Sequence, residues 1–181
     1  YCAIRSGNPG GHVDPWEPLR VAQAVKKMGL RHAVVTSVDR DDLPDGGAGL
    51  FAQTVHAIRQ EAPGCTVEVL IPDFQGDENA LQTVLDACPE ILNHNIETAP
   101  RIFRMVRARG SYWQSLDLLD RAKRAGLRTK SGMMVGLGET KEEVLATMDD
   151  LRSVACDILT IGQYLRPSSW HHPLDRYYTP Q

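Results

Sequence analysis

The stretch Arg128-Thr-Lys-Ser-Gly-Met-Met-Val135 runs into Gly136-Leu-Gly-Glu139 and then into Thr140-Lys-Glu-Glu143. The first segment is predicted as a strand whose glycine-rich end can bring backbone close to a ligand. Thr140 is predicted as the N-cap of a helix with Glu143 at its third position, which together form a capping box. A strand, a short turn and a capped helix form one unit of a parallel sheet covered by helices.

The same alternation extends along the rest of the chain. Helices are predicted over residues 18–28, 50–61, 77–87, 112–125 and 140–151, and strands over 32–37, 66–71, 91–96, 128–135 and 157–161. No linker, repeat or change of composition separates them, so residues 1–181 are predicted as one domain. The length of 181 residues is below the roughly 250 of an eightfold barrel. A partial parallel barrel and an open doubly wound sheet both fit the pattern.

Composition excludes several classes of protein. Hydrophobic residues make up 42% and charged residues 24%, which is typical of a globular domain. The net charge of -3 carries no basic excess, so no nucleic-acid partner is expected. No apolar run reaches the roughly 18 residues of a membrane helix, so no membrane association is expected. None of the four cysteines lies in a CxxC pair, and Cys65, Cys88 and Cys156 are predicted to be buried thiols.

Polar or glycine-rich clusters follow each predicted strand, at residues 36–45, 72–76, 93–98, 136–139 and 162–164. The carboxyl ends of parallel strands meet at one rim, where α/β enzymes place their chemistry. Five such clusters therefore predict an enzyme. The acidic loop resembles part of a calcium-binding loop at Asp41 and Asp45, but Leu43 and Ala52 occupy positions that would need ligands, so the match fails.

Within these clusters, strand alternation points Asn93, Asn95 and Glu97 to one side and His94 to the other. Either a capped strand end or a site for ribose hydroxyls or an amine fits this set. Lys130 fits equally a cation aimed at a carboxylate and a solvated side chain.

Two adjacent histidines follow the last predicted strand. His171 and His172 face different directions in regular structure, which does not favour a shared metal. A surface location is therefore predicted for both.

Several blocks of the sequence resemble a known family. Tyr1-Cys2-Ala-Ile is similar to the end of the radical S-adenosylmethionine (SAM) signature CxxxCxxC. Longer blocks that resemble lipoyl synthases begin at Thr36, Glu68, Asn93, Thr129, Met134 and Gly162, and together they cover nearly the whole chain. The sequence differs slightly from the family pattern at Arg166, Ser168, His172 and Leu174. The resemblance implies a partial parallel (β/α)6 barrel of the TIM type, with its first strand missing.

The resemblance also implies a reaction. Lipoyl synthases insert sulfur at C6 and C8 of an octanoyl chain on a lipoyl carrier, such as the glycine cleavage H protein or a 2-oxoacid dehydrogenase E2. The implied cofactors are two [4Fe–4S] clusters and SAM, with the auxiliary cluster as sulfur donor. Ferredoxin or flavodoxin is the expected electron donor, and the expected location is the cytoplasm, with organellar targeting left open.

Residue roles follow from the same resemblance. Cys2 is implied as the third ligand of the radical-generating cluster, and Tyr1 would lie against adenine. Ser37, Asn95 and Glu97 are implied contacts to SAM, with Lys130, Ser131, Gly136, Gly138 and Glu139 lining the same pocket. Arg40, Asp41 and His94 are implied neighbours of the octanoyl chain.

Other cluster ligands of the family lie outside these residues. The first two signature cysteines would precede Tyr1, and neither the auxiliary cysteine triplet nor the auxiliary serine is present. The chain is therefore expected to be a core cut at both ends and inactive by itself. Two alternatives are a sulfur-inserting radical SAM enzyme of the biotin synthase type and a non-catalytic α/β binding module.

Overall fold

All five strands lie parallel in one sheet. A computed structural model describes residues 2–4 and 7–179, so the predicted role of Tyr1 falls outside the described residues. The strands are β1 (His32–Thr36), β2 (Thr66–Leu70), β3 (Ile91–Asn93), β4 (Arg128–Val135) and β5 (Ile158–Gln163).

The order of the strands decides between the two predicted architectures. The sheet runs β1-β2-β3-β4-β5 in sequence order. A doubly wound sheet reverses its strand order at a switch point, whereas a barrel adds each strand beside the previous one. The fold is therefore a section of a parallel β/α barrel, as the resemblance implies.

Helices connect successive strands. They are α1 (Glu17–Met28), α2 (Ala48–Glu61), α3 (Glu78–Asp86), α4 (Pro100–Val106), α5 (Tyr112–Arg124) and α6 (Lys141–Ser153). The predicted capping box is confirmed, because Glu143 N donates to Thr140 Oγ1 at 3.2 Å and Thr140 N donates to Glu143 Oε2 at 2.8 Å. The sequence analysis assigned no helix to α4. Among the described residues, no helix is long and apolar enough to cross a bilayer.

The main core lies between the helices and one face of the sheet. Ala33, Val67, Val69 and Leu92 project from the first three strands into a cluster with side chains of α1, α2 and α3. Because side chains alternate along a strand, the intervening residues face the other way, toward the barrel interior. Val34 is 54% exposed on that interior face. The interior face is therefore the accessible face of the sheet.

The three cysteines to which the resemblance gives no ligand role have different environments. Cys65 is buried and Cys156 is half-buried, but Cys88 is exposed. The prediction of a buried thiol is wrong for Cys88, which lies just beyond the end of α3 with a positive φ of 51°.

Candidate functional site

A buried carboxylate organises the polar groups on the interior face. Glu68 of β2 is 2% exposed, and its Oε1 accepts from Lys130 Nζ at 2.9 Å and from Asn93 Nδ2 at 3.0 Å. His32 Nε2 lies 3.5 Å from the other oxygen. Four neighbouring strands each contribute one residue to this network. Lys130 is thus a cation aimed at a carboxylate, the first of the two interpretations left open by the sequence, and that carboxylate belongs to Glu68 of the protein itself.

Above this network, towards the carboxyl ends of the strands, the chain after β3 lies against β4. Glu97 N donates to Gly132 O at 3.0 Å, and Met134 N donates to Glu97 O at 2.7 Å. A Cβ atom at Gly132 would lie 2.6 Å from Asn95 Oδ1, so glycine is needed for this close approach. Glu97 has a φ of 66°, a conformation unusual for a residue other than glycine. Asn95 and Glu97 therefore come together beside Gly132.

Two buried oxygens in this region, Asn93 Oδ1 and Thr98 Oγ1, have no hydrogen-bond partner among the described residues. Asn93 Oδ1 is enclosed, and no hydrogen bond reaches it within the described part of the chain. Buried polar atoms are normally hydrogen-bonded, so an unpartnered oxygen fits a bound water or a ligand donor. The ammonium and the ribose hydroxyls of SAM are donors of this kind.

Two predicted site residues face the helices instead. His94 is 1% exposed, and its Nδ1 donates to the Ile71 carbonyl at 2.9 Å while its Nε2 accepts from Ser115 Oγ at 2.9 Å. Ser131 is fully buried, and its Oγ accepts from Ile96 N at 3.0 Å. The implied contact of His94 with the octanoyl chain does not fit this position, because the enclosed ring packs against α5 and not toward the barrel interior.

The enclosure of His94 predicts a pH-dependent stability. Burial lowers its pKa from 6.5 to about 4. Between these values the unfolded chain binds a proton at His94 and the folded chain does not. The free energy of unfolding should therefore fall as pH falls from 6.5 to 4, by up to about 3 kcal/mol. Urea unfolding at several pH values checks this.

A glutamine substitution tests the assignment of that pH dependence. His94→Gln removes the titrating group, so most of the pH dependence between 6.5 and 4 should disappear. His56→Gln, at an exposed position of α2, should retain it. An unchanged pH dependence in His94→Gln would rule out His94 as its source.

The glycine-rich turn after β4 is held by its own glutamate. Glu139 is fully buried, and its carboxylate accepts from Gly136 N at 2.7 Å and Leu137 N at 2.9 Å. Tyr178 Oη donates to the same carboxylate at 2.9 Å. Gly136 and Gly138 have φ values of 99° and 103°, which favour glycine.

The space beside this turn is filled by the chain itself. Residues 164–178, which we call the C-terminal strap, fold back across it. Asp175 N donates to Gly136 O at 2.8 Å, and His172 Nε2 donates to Leu137 O at 3.0 Å. A Cβ at Gly136 would lie 2.5 Å from the Arg176 carbonyl oxygen. Gly136 thus makes its close approach to the strap, whereas a bound molecule was expected there.

The amino-terminal segment lies across the same rim. Gly11 N donates to Asp42 Oδ2 at 3.0 Å, and Arg40 Nη2 donates to the His12 carbonyl at 2.9 Å. Arg40 also binds both oxygens of Asp42 at 2.8 Å, which lowers the pKa of Asp42 to about 2. The contacts of Arg40 anchor this segment. The role of Arg40 beside the octanoyl chain, which the resemblance implies, stays a proposal.

The remaining predicted residues lie at this rim without forming one cluster. Cys2 is exposed, and its carbonyl accepts from His171 Nε2 at 2.9 Å. Ser37 is exposed and donates to the Val38 carbonyl at 2.9 Å, and Asp41 is exposed. His171 and His172 are half-buried in the C-terminal strap, and each makes hydrogen bonds to other parts of the chain.

The role of Glu68 as the partner of Lys130 and Asn93 was not predicted from the sequence. A lone charge inside Thr66-Val-Glu-Val-Leu70 is the available signal, because an apolar strand tolerates a buried carboxylate only with partners.

A separate cavity of about 710 Å³ lies at the opposite, amino-terminal end of the strands, beside His32, Thr66 and Arg128. Catalytic groups of parallel barrels lie at the carboxyl end, so this cavity is not the candidate site.

Comparison with known proteins places the chain in a family. The profile of the radical SAM superfamily matches residues 1–151. The chain belongs to this superfamily. It is also 60% identical over 183 residues to a lipoyl synthase of Rubrobacter xylanophilus, covering 100% of this chain and 57% of that protein. A lipoyl synthase of Caldanaerobacter subterraneus is 53% identical, with 100% and 64% covered. The chain thus spans about three fifths of the length of these relatives.

Solved structures of radical SAM proteins share the fold. SuiB of Streptococcus suis, solved with SAM bound, gives a TM-score of 0.72 at 8% identity, covering 92% of this chain and 37% of SuiB. Methylornithine synthase gives 0.65 at 15% identity, covering 85% and 45%. These likenesses support the partial barrel.

Proposed function

We propose that this chain is the radical SAM core, residues 1–181, of a lipoyl synthase. The complete protein would insert two sulfur atoms, at C6 and C8, into an octanoyl chain on a lipoyl carrier such as the H protein or an E2 subunit. The observation that most supports this is identity of 60% and 53% to two lipoyl synthases along the whole chain. Ferredoxin or flavodoxin is the electron donor we propose.

The donor chemistry at Cys2 fits an iron–sulfur cluster. Thiolate sulfur is the ligand these clusters require, and the Cys2 side chain is exposed at the rim. Within residues 2–4 and 7–179, no group of three or more metal-ligating side chains comes together. We therefore propose Cys2 as one ligand of the radical-generating cluster. The other ligands, and those of the auxiliary cluster, would be supplied by the complete protein.

The interior face offers groups that fit SAM. We propose that Asn95 and Glu97 bind its polar groups, and that Asn93 Oδ1 accepts from one of them. Ser131 holds the backbone between Asn95 and Glu97 through its bond to Ile96 N. Tyr1 and Ser37 stay proposed contacts. When bound, the cluster and SAM supply radical chemistry, which the cleavage of unactivated C–H bonds requires.

The test uses the complete protein, reconstituted anaerobically with iron and sulfide. We expect two [4Fe–4S] clusters per chain by iron and sulfide analysis. With reductant, SAM and an octanoylated carrier, mass spectrometry should show gain of two sulfur atoms on the carrier. One cluster per chain would contradict the proposed function. Cluster-free protein would favour a binding module.

A cysteine pair provides the matched control for that experiment. Cys2→Ala should abolish SAM cleavage, because the radical-generating cluster loses a ligand. Cys88→Ala removes an equally exposed thiol outside the site and should leave SAM cleavage unchanged. Equal loss in both variants would contradict the proposed role of Cys2.

A further inference from the structure

The C-terminal strap joins two parts of the rim that are distant in sequence. One side of the strap is bonded to the turn after β4, through Asp175 N to Gly136 O at 2.8 Å and His172 Nε2 to Leu137 O at 3.0 Å. Tyr164 Oη fixes the strap internally by donating to the His172 carbonyl at 2.9 Å. The strap thus has a rigid attachment to the sheet.

The other side of the strap reaches the segment that contains Cys2. His171 Nε2 lies 2.9 Å from the Cys2 carbonyl oxygen. Because a carbonyl can only accept, Nε2 must carry the proton. The second ring nitrogen, Nδ1, then accepts from Ser168 Oγ at 2.8 Å. The Cys2 carbonyl thus sets the tautomer of His171, and the hydroxyl of Ser168 satisfies the other ring nitrogen.

Little else fixes Cys2 in place. The residue is exposed and contributes to no apolar core cluster. Among the described residues, His171 is the one side chain hydrogen-bonded to it. A metal ligand must be held within a few tenths of an ångström of its bonding position, and second-shell hydrogen bonds commonly provide this.

We propose that His171 is a positioning residue for the cluster ligand Cys2, which it holds through the Cys2 carbonyl. The proposal rests on the function proposed above. Its physical basis is that fixing a residue's backbone fixes the origin of its side chain. The C-terminal strap anchors the Cys2 backbone to the turn after β4, and this anchor limits the positions that the Cys2 thiolate can take.

The test measures the radical-generating cluster itself in the complete, reconstituted protein. In His171→Ala, iron release to a chelator should be about fivefold faster than in the wild type, the effect of losing one hydrogen bond. His171→Gln retains an N–H donor and should recover part of that rate. His56→Ala is the matched control, because it removes an exposed histidine of α2 that lies outside the C-terminal strap.

A spectroscopic readout separates positioning from general loosening of the structure. In His171→Ala, the electron paramagnetic resonance signal of the reduced radical-generating cluster should respond differently to SAM, while the auxiliary cluster signal stays unchanged. Wild-type iron release and signals in His171→Ala would overturn the proposal, as would equal effects in His56→Ala. Failure of the wild type to bind any cluster would instead overturn the proposed function.

Discussion

Replacing Lys130 with methionine should lower the free energy of unfolding by about 3–5 kcal/mol. Methionine keeps the length of the apolar stem and removes the ammonium that lies 2.9 Å from Glu68 Oε1. Among the described residues, the Glu68 carboxylate, 2% exposed, is then left with Asn93 as its close donor and with His32 Nε2 at 3.5 Å. A buried charge without close compensation is among the most destabilising changes in a protein. Urea unfolding of Lys130→Met measures the effect.

A second substitution should reverse most of that loss. In Lys130→Met combined with Glu68→Gln, both charges are absent and the amide oxygen of Gln can still accept from Asn93. Lys26→Met is the control, because Lys26 forms a similar 2.9 Å pair with Glu61 but its side chain is 61% exposed. Such surface pairs contribute at most about 1 kcal/mol. An unfolding free energy unchanged in Lys130→Met, with SAM binding weakened at least tenfold, would restore the sequence-based role of Lys130 as a cofactor contact.

Glu139→Gln should also be strongly destabilising, by about 3 kcal/mol. The carboxylate of Glu139 accepts three hydrogen bonds, from the backbone of Gly136 and Leu137 and from Tyr178. An amide has one oxygen, and its NH₂ group would face a backbone N–H donor. A buried donor is then left unsatisfied in a fully enclosed site. The effect includes the C-terminal strap, because the Tyr178 contact lies at its end.

Unfolding of two variants side by side measures this. Glu142→Gln, on the exposed first turn of α6, should change the free energy of unfolding by less than about 0.5 kcal/mol. Protection of the amides of residues 164–178 from hydrogen exchange should decrease in Glu139→Gln but not in Glu142→Gln. Equal stability of the two variants would show that the carboxylate of Glu139 is not needed to hold the turn.

Much of the fold could be predicted because local physical rules agree. β-branched runs predict the strands, and the Thr140–Glu143 capping box predicts the start of α6, as observed. The choice between barrel and doubly wound sheet could not be predicted from pattern, because strand order depends on which strands pair across the sheet. Helix α4 was missed, although Pro100 at its start and buried Ile102, Phe103 and Val106 are consistent signals.

The candidate site was predicted less completely than the fold. Alternation correctly places Asn93 and His94 on opposite faces of the strand, whereas the contact of His94 with the octanoyl chain was implied by the resemblance alone. The partners of Lys130 and Gly136 could not be predicted, because they are distant in sequence. Glu68 is 62 residues from Lys130 in sequence, and the strap carbonyl beside Gly136 belongs to Arg176. Local sequence shows that glycine is needed at Gly136 but not which part of the molecule approaches it.

The bond between His171 and Cys2 also imposes an order in time during synthesis. The two residues are 169 positions apart. At about 5–20 residues per second on the ribosome, Cys2 is made roughly 8–34 s before His171. During that interval the Cys2 segment cannot acquire this contact, whatever the state of the first strands. Completion of the rim at Cys2 must therefore wait until the C-terminal strap has been made.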